Sequence, residues 1–150
     1  MSPQYQLVGS TFDTGLYAEV QQFYSRQMRM LDDGVVDGWA ESFTEDGVFS
    51  ANAHPEPAVG RAAITAGARQ AHAALTEQGI QRRHWLGMLD VEPQPDGTIN
   101  ARSYALILST PRGGTAQVQL SCVCEDVLVR ADGRLLVRER RVTRDDLLEQ

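Results

Sequence analysis

The sequence predicts an α+β fold in which helices occupy the first part of the chain and strands the second. Up to about residue 80, three segments carry apolar residues at helical spacing. After residue 81, four β-type segments are separated by short turns rich in glycine, proline and aspartate. Such short connections place successive strands side by side as antiparallel neighbours. The length of 150 residues suits one domain, which we assign to residues 13–150 after a lead-in over residues 1–12.

The first helix is predicted to run from about Asp13 to Leu31. Its apolar residues step by three or four positions from Tyr17 to Leu31, so they form one stripe on the helix surface. Asp13 and Thr14 are both residue types that cap helix N-termini, so either can cap this helix. The break Asp32-Asp33-Gly34 is a typical stop signal, and it ends this helix.

Two further helices are expected before the strands begin. The segment WAESFTED predicts a short helix that is capped by Asp37 and ended by Gly47, with a short strand at residues 48–50. Residues 61–78 are rich in alanine and have apolar residues on one face, so they predict a third helix. Gly79 is placed to end it.

The four strands are predicted at about residues 82–92, 98–110, 115–130 and 134–144. The third strand carries apolar residues on both faces, whereas a sheet with one solvent face alternates apolar and polar residues. A second copy of the chain covering the outer face would account for this pattern, so we expect a homodimer. The apolar residues on one face are Val118, Leu120 and Cys122, and those on the opposite face are Val123, Val127 and Val129.

The composition excludes several classes of protein. All 14 cationic residues are arginine, which excludes Schiff-base chemistry on a lysine and a phosphate-loop lysine. The net charge of −6 argues against a surface for nucleic acid or an anionic membrane. Cys122 and Cys124 are expected to be small core residues and not a disulfide or metal site. The N-terminal residues do not resemble a secretory signal and no apolar run approaches the roughly 20 residues of a membrane span, so we expect a cytoplasmic protein.

Three segments resemble the SnoaL-like branch of the nuclear-transport-factor-2-like superfamily. The first is EVQQFYSRQMRMLDDGVVDGWAESFTEDGVF, a long helix followed by an acidic break and the W–x–x–F–T–x–D–G–V entry into a strand. The second is VGRAAI, which opens the third helix. The third is RRHWLGMLDV with the meander that EDVLVRADGRLLVRERRV closes. Together they cover about residues 17–144.

The resemblance implies a cone-shaped, cystatin-like fold. In this fold a curved antiparallel sheet wraps around three N-terminal helices and encloses a mostly apolar cavity. The superfamily includes polyketide cyclases, scytalone dehydratase, a dehydrochlorinase, ketosteroid isomerase, small subunits of ring-hydroxylating dioxygenases and non-catalytic binding proteins. Because one fold supports all of these functions, the residues of the site must decide among them.

The resemblance also implies a catalytic Asp–His dyad. The dehydratase and the dehydrochlorinase use an aspartate after the first helix and a histidine on the first meander strand, and Asp32 and His84 stand at the matching places. A histidine can take up and return a proton near neutral pH. A carboxylate on its other ring nitrogen fixes the tautomer and stabilises the imidazolium. This chemistry needs neither a metal nor an organic cofactor.

Other parts of the family's pocket are not retained. The dehydratase's two tyrosines correspond to Leu31 and approximately Ala51, and its second histidine has no counterpart in residues 98–110. The dehydrochlorinase's asparagine corresponds to Met88. The isomerase's acid would fall near Ala51 or Asn52, so its mechanism is not expected. The substrate contacts that the resemblance implies are Tyr24, Met28, Phe49, Leu86, Tyr104 and Cys124. A plain core position is an equally good interpretation of Tyr24, Met28, Phe49 and Tyr104.

Each candidate residue also has a purely structural interpretation. Asp32 and Asp33 would then be two exposed acids in a turn, and His84 a hydrogen-bonded histidine of the sheet. Arg82 shares a face with His84, where it is either solvated or holds an anionic group of the substrate. The remaining histidines lack partners at metal-ligand spacing and are expected at the surface: His54 and His72.

The sequence therefore favours a cofactor-independent dehydratase, cyclase or isomerase, a lyase- or isomerase-type enzyme of secondary metabolism such as antibiotic biosynthesis. Its substrate is expected to be an apolar or aromatic carbonyl compound such as a polyketide intermediate, with His84 as general base and acid and Asp32 as its orienting group. Two alternatives remain open. One is a non-catalytic binding protein for a small molecule, and the other is the small structural subunit of a ring-hydroxylating oxygenase.

Overall fold

The computed structural model of the protein describes residues 12–148. The predicted lead-in over residues 1–12 lies outside these residues except for Phe12. Within the described chain, no helix is both long and apolar enough to cross a bilayer. The elements are α1 Thr14–Asp32, α2 Val36–Ala40, β1 Phe43–Ala51, β2 Ala58–Val59, α3 Arg61–Gln78, β3 Ile80–Pro93, β4 Ile99–Pro111, β5 Gln117–Ala131, β6 Arg134–Arg144 and a 3₁₀ turn at Asp145–Leu147.

The first and third helices begin and end where the sequence predicts. The Asp13 carboxylate accepts a hydrogen bond from the backbone N–H of Leu16 (2.9 Å), which caps α1. After α1, Gly34 takes a positive φ of 78° and turns the chain toward α2. α3 ends at Gly79, whose left-handed conformation costs a glycine little.

The second helix is shorter than predicted, and the interpretation of WAESFTED as one helix is wrong. α2 stops at Ala40, and β1 already begins at Phe43. Phe43 pairs with Val137 in β6, and the backbone N–H of Val137 donates to the Ser42 carbonyl (2.8 Å). The Phe43 ring also packs edge-on against Trp39, with ring centroids 4.9 Å apart. Sheet pairing and core packing therefore outweigh the helical spacing of the two aromatic residues.

The six strands form one unclosed sheet in the order β2-β1-β6-β5-β4-β3. The four predicted strands are present as β3 to β6, within two residues of the expected bounds, and they pair as an antiparallel meander. β1 pairs with β6 in parallel, so the sheet is not antiparallel throughout. The short β2 was not predicted and pairs with β1 at the outer edge. The observed fold is α+β, with three helices and one curved sheet, as expected.

The core lies between the helices and the inner face of the sheet. Cys122 and Cys124 are both buried, free thiols on this inner face, as predicted. Trp85, Tyr104 and Val118 lie on the outer face, where about 60 to 70% of each side chain is exposed. The prediction that Val118 shares a face with Cys122 is wrong, because the register of β5 shifts between Leu120 and Val118. The apolar residues on both faces of the meander thus correspond to a filled inner surface and an open outer one.

A fully buried polar network joins α1 to β5 and β6. The Arg140 guanidinium donates to both oxygens of Asp126 (2.9 and 2.8 Å) and to Oε1 of Gln27 (2.7 Å). The Tyr24 hydroxyl donates to Asp126 Oδ2 (2.6 Å). Burial raises the pKa of Tyr24 and the Asp126 charge raises it further, so the phenol stays protonated and keeps donating. Since every member has a partner, the network closes the core without an unpaired charge.

Candidate functional site

The site is built around a hydrogen-bonded pair between the end of α1 and the start of β3. Oδ1 of Asp32 lies 2.6 Å from Nδ1 of His84, and Oδ2 accepts the backbone N–H of the same histidine at 3.1 Å. The Asp32 side chain is 6% exposed and the His84 side chain 18%. One carboxylate therefore holds both the ring and the backbone of His84.

Local structure explains why Asp32 and not Asp33 takes this position. Asp32 is the last residue of α1, while Asp33 is the C-cap and its side chain is 64% exposed beside Arg83. On β3, alternation sends Arg83 to the outer side and His84 to the inner side. The inward acid at the helix end thus meets the inward histidine of the strand.

The carboxylate determines which ring nitrogen is available. An acceptor at Nδ1 favours the tautomer that carries its proton there, which leaves the lone pair on Nε2. Nε2 has no hydrogen-bond partner among residues 12–148. His84 also lines the large cavity of the fold, so Nε2 can act as a base toward a molecule bound there.

This cavity has a volume of about 1140 Å³, is partly open to solvent and is large enough for a polycyclic ligand. It lies between α3, β1 and the first residues of β3. About half of the residues that α3 contributes to its wall are alanine or glycine, whose small side chains leave space there. Apolar side chains from α1, α2 and β1 supply much of the remaining wall. Lining residues with small or apolar side chains include Leu31, Trp39, Phe49, Ala51, Ile64, Gly67, Ala68 and Ala71.

The family model of the SnoaL-like domain matches residues 14–141, which is most of the chain. The chain belongs to the SnoaL-like family. Two more distant solved structures described as cystatin-like folds confirm the expected fold class. No curated protein matches this chain.

Three solved SnoaL-like structures are similar to the chain over most of its length. Aln2 from a Streptomyces species is 38% identical, covers 92% of this chain and 96% of its own, and has a TM-score of 0.85. ActVI-ORFA from Streptomyces coelicolor is 44% identical, with coverages of 89% and 99% and a TM-score of 0.82. A protein from Catenulispora acidiphila in complex with S-DNPA is 42% identical, with coverages of 89% and 96% and a TM-score of 0.79.

Of the expected substrate contacts, the structure places Phe49 on the wall of the SnoaL-like cavity. Tyr24, Leu86 and Cys124 do not line it. Tyr24 and Cys124 instead contact Asp126 in the buried network, and Leu86 packs into the core. Met28 is also buried away from the cavity wall. Tyr24 and Met28 on α1, and Leu86 and Cys124 on the sheet, therefore lie in the interior but outside the cavity wall.

The expected contact with Tyr104 is contradicted by its place on the outer face. Tyr104 is 59% exposed and stands opposite Gly87 and Val123 on the neighbouring strands. Its neighbours Ser103 and Ala105 are buried on the inner face. Period-two alternation therefore sends the tyrosine outward, a signal that the small residues on either side already carried.

The predicted surface position is confirmed for His54, which is exposed, but not for His72, which is partly buried. Both line the cavity, so all three histidines of the chain border it. His72 is half-buried on α3, and its ring lies against Gly34, directly after the Asp32–Asp33 pair. His54 is exposed on the loop after β1. Sequence spacing missed them because it tested only metal-ligand patterns.

Two buried donors at the cavity wall have no partner among the described residues. Nε1 of Trp39 and Nε of Arg82 are both inaccessible to solvent and form no hydrogen bond within residues 12–148. Trp39 is 3% exposed. The sequence indicated the inward direction of Arg82 through its two-residue spacing from His84, but it carried no sign that Trp39 borders a cavity.

Proposed function

We propose that the protein is a cofactor-independent lyase or isomerase of the dehydratase or cyclase type. Its substrate would be an apolar or aromatic carbonyl compound such as a polyketide intermediate. The observation that carries this proposal is the Asp32 carboxylate bound to both Nδ1 and the backbone N–H of His84 at the cavity wall. A related SnoaL-like protein in complex with S-DNPA supports a cavity that receives a small molecule.

The proposed chemistry is a proton transfer through Nε2 of His84. Nε2 removes a proton from the carbon next to the substrate carbonyl, and the electron pair of that C–H bond forms an enolate. Asp32 stabilises the resulting imidazolium through Nδ1–H. Collapse of the enolate then expels a β-hydroxyl group, which takes the proton from Nε2 and leaves as water. In the cyclase variant the same proton transfer precedes ring closure.

One observation favours the non-catalytic alternative, a binding protein with the same cavity. Leu31 and Ala51 both line the cavity at the places that correspond to the dehydratase tyrosines. Neither side chain can donate a proton to a leaving group. The enzyme and the binding protein are therefore distinguished by whether the protein converts a bound ligand and whether that turnover depends on His84.

Replacing His84 with alanine should lower turnover of the true substrate by at least ~100-fold, because the general base is lost. The matched control is Arg83→Ala, which truncates the exposed neighbour of His84 on the outer face of the same strand, away from the cavity, and should leave turnover within a few-fold of the wild type. Turnover would be measured on carbonyl compounds that bind the cavity, with circular dichroism to verify folding. A ligand that binds tightly but is not converted would assign the cavity to binding alone, whereas a His84→Ala protein with the wild-type rate would overturn the role of His84 as general base.

A further inference from the structure

Arg82 stands out among the residues that line the cavity. It occupies the inner face of β3, two residues before His84. Its side chain is half-buried, and its Nε is inaccessible to solvent without a hydrogen-bond partner among residues 12–148. A polar atom that is buried without a hydrogen-bond partner is costly for the folded state. The position of Arg82 at the cavity wall is therefore unfavourable unless a bound molecule supplies a partner.

The other buried or half-buried arginines show how this chain normally treats such a charge. Each of them meets a carboxylate or a backbone carbonyl within residues 12–148. Arg82 has no such partner there. For the other four arginines, the partners are the Phe43 carbonyl oxygen for Arg61, Glu125 for Arg102, Asp126 for Arg140 and Asp146 for Arg144.

The neighbouring groups cannot supply the missing anion. Both oxygens of the Asp32 carboxylate are engaged with His84. Glu56 lies on the exposed loop after β1 and forms no ion pair with Arg82. The second unpartnered donor at this wall, Nε1 of Trp39, also requires an acceptor. The titratable or charged residues that line the cavity are Asp32, His54, Glu56, His72, Arg82, His84 and Arg112.

We infer that Arg82 binds a carboxylate of the substrate, so that the natural substrate is an aromatic or polycyclic carboxylic acid and not a neutral molecule. This inference rests on the proposed function and narrows its substrate class. A carboxylate accepts the fork of guanidinium N–H groups and supplies the counter-charge that the protein lacks at this place. It also offsets the unfavourable effect of the guanidinium on an imidazolium formed at His84.

The strand geometry limits where the carboxylate sits in the molecule. Residues on the same face of a strand are about 7 Å apart along the chain. The carboxylate at Arg82 and the carbon from which His84 removes a proton should therefore be separated by a distance of the order of 7 Å. A substrate with an acidic side arm on the ring that carries the carbonyl group meets this condition.

The test compares two probes that differ only in charge, 2-naphthylacetate and 2-naphthylacetamide. Their binding would be measured by calorimetry at low ionic strength in a buffer without carboxylate or phosphate ions. The wild-type protein should bind the acid at least about tenfold more tightly than the amide, which is the range of a charged hydrogen-bonded pair. In Arg82→Gln the acid should fall to the affinity of the amide, while the affinity of the amide changes little.

Three variants make the result specific. Arg83→Gln removes the same charge one residue away on the outer face and should keep the preference for the acid. Arg82→Lys keeps the charge without the planar fork and should retain part of the preference. His84→Ala should also retain it, so a failure of the proposed catalysis is distinguishable from a failure of the carboxylate site.

Folding of Arg82→Gln can be assessed independently. Because Arg82 has no partner within the described residues, the ligand-free variant should melt at the same temperature as the wild type or above it. 2-Naphthylacetate should then raise the melting temperature of the wild type but not that of the variant. Equal affinity of the wild type for acid and amide, a preference that survives in Arg82→Gln, or no binding of either probe at millimolar concentration would each overturn the inference.

Discussion

Asp32 and Asp33 are adjacent and chemically identical, yet their carboxylates have different surroundings. The Asp32 carboxylate is buried against Nδ1 and the backbone N–H of His84, whereas that of Asp33 is 64% exposed and 3.7 Å from Arg83. The end of a helix is an unfavourable place for an acid, since it lies at the negative end of the helix dipole. The two hydrogen bonds from His84 explain why Asp32 is stable there.

The Asp32→Asn variant removes the negative charge of the side chain and keeps nearly the same shape, so it tests the contribution of the charge to catalysis. An amide offers one oxygen to two donors, so it cannot serve both Nδ1–H and the backbone N–H of His84, and it cannot stabilise an imidazolium by charge. We expect kcat to fall on the order of 10²- to 10⁴-fold. Asp33→Asn is the matched control and should keep kcat within a few-fold of the wild type. Equal losses in the two variants would contradict the assigned role of Asp32.

Among the secondary-structure elements, the turn between α1 and α2 determines the position of Asp32. Gly34 has a φ of 78°, and a β-carbon added there would collide with the imidazole ring of His72 on α3. The turn that follows α1 thus lies directly against the His72 ring. A glycine is needed here for its conformation and for its small size.

Gly34→Ala should lower the free energy of unfolding by more than about 1 kcal/mol, because the positive φ and the collision both act against the folded state. In a His72→Ala background the collision is relieved, so the same substitution should cost less. Urea denaturation of the four proteins forms a double-mutant cycle that measures the difference. An identical cost in both backgrounds would show that the His72 ring does not constrain this turn.

The elements also show how far local patterns determine the fold. Residues with a local cap or stop, such as Asp13 and Gly79, give helix bounds that the sequence predicts well. Phe43 was assigned to the wrong element, since its partner Val137 lies far along the chain and a helical spacing cannot reveal that pairing. The short β2 depends in the same way on its pairing with β1.

Strand alternation and the family pattern predicted which residues face the candidate site. They did not predict the position of the cavity, because that position depends on how the helices pack on the sheet. His84 and Arg82 share the inner face, as their spacing predicts. Tyr104 was misplaced because aromatic character was given more weight than strand alternation. The position of the cavity follows from small residues on α3, whose effect appears only once the helix is docked on the sheet.

At the scale of the whole molecule, the network of Tyr24, Gln27, Asp126 and Arg140 connects the first helix with the last two strands. Arg140 and Asp126 are nearly inaccessible to solvent. Burial alone would lower the pKa of Arg140, but the Asp126 carboxylate reverses this and raises it, so the guanidinium remains charged. The stability of the domain therefore depends on this pair staying complete.

Asp126→Asn should lower the free energy of unfolding by about 3 to 5 kcal/mol, since it leaves a buried guanidinium without its counter-charge. Glu19→Gln is the matched control, because it breaks the exposed pair with Arg130 and should cost less than ~1 kcal/mol. Chemical denaturation of the two variants and the wild type measures the difference. Similar small costs for both would show that the buried pair does not stabilise the domain.

The outer face of the sheet concerns the assembly of the whole molecule. Trp85, Tyr104 and Val118 are apolar and largely exposed there in the single chain. Exposed apolar side chains of this size are typical of surfaces that another protein covers. The homodimer expected from the sequence stays a prediction.

The position of β3 gives the Asp32 carboxylate a second consequence. β3 is the last strand of an open sheet, so the backbone N–H groups that point away from β4 have no partner strand and can pair with a strand of another polypeptide. Asp32 Oδ2 already accepts the N–H of His84 on that side. The carboxylate that contacts the imidazole thus also makes this backbone N–H unavailable for pairing with another strand.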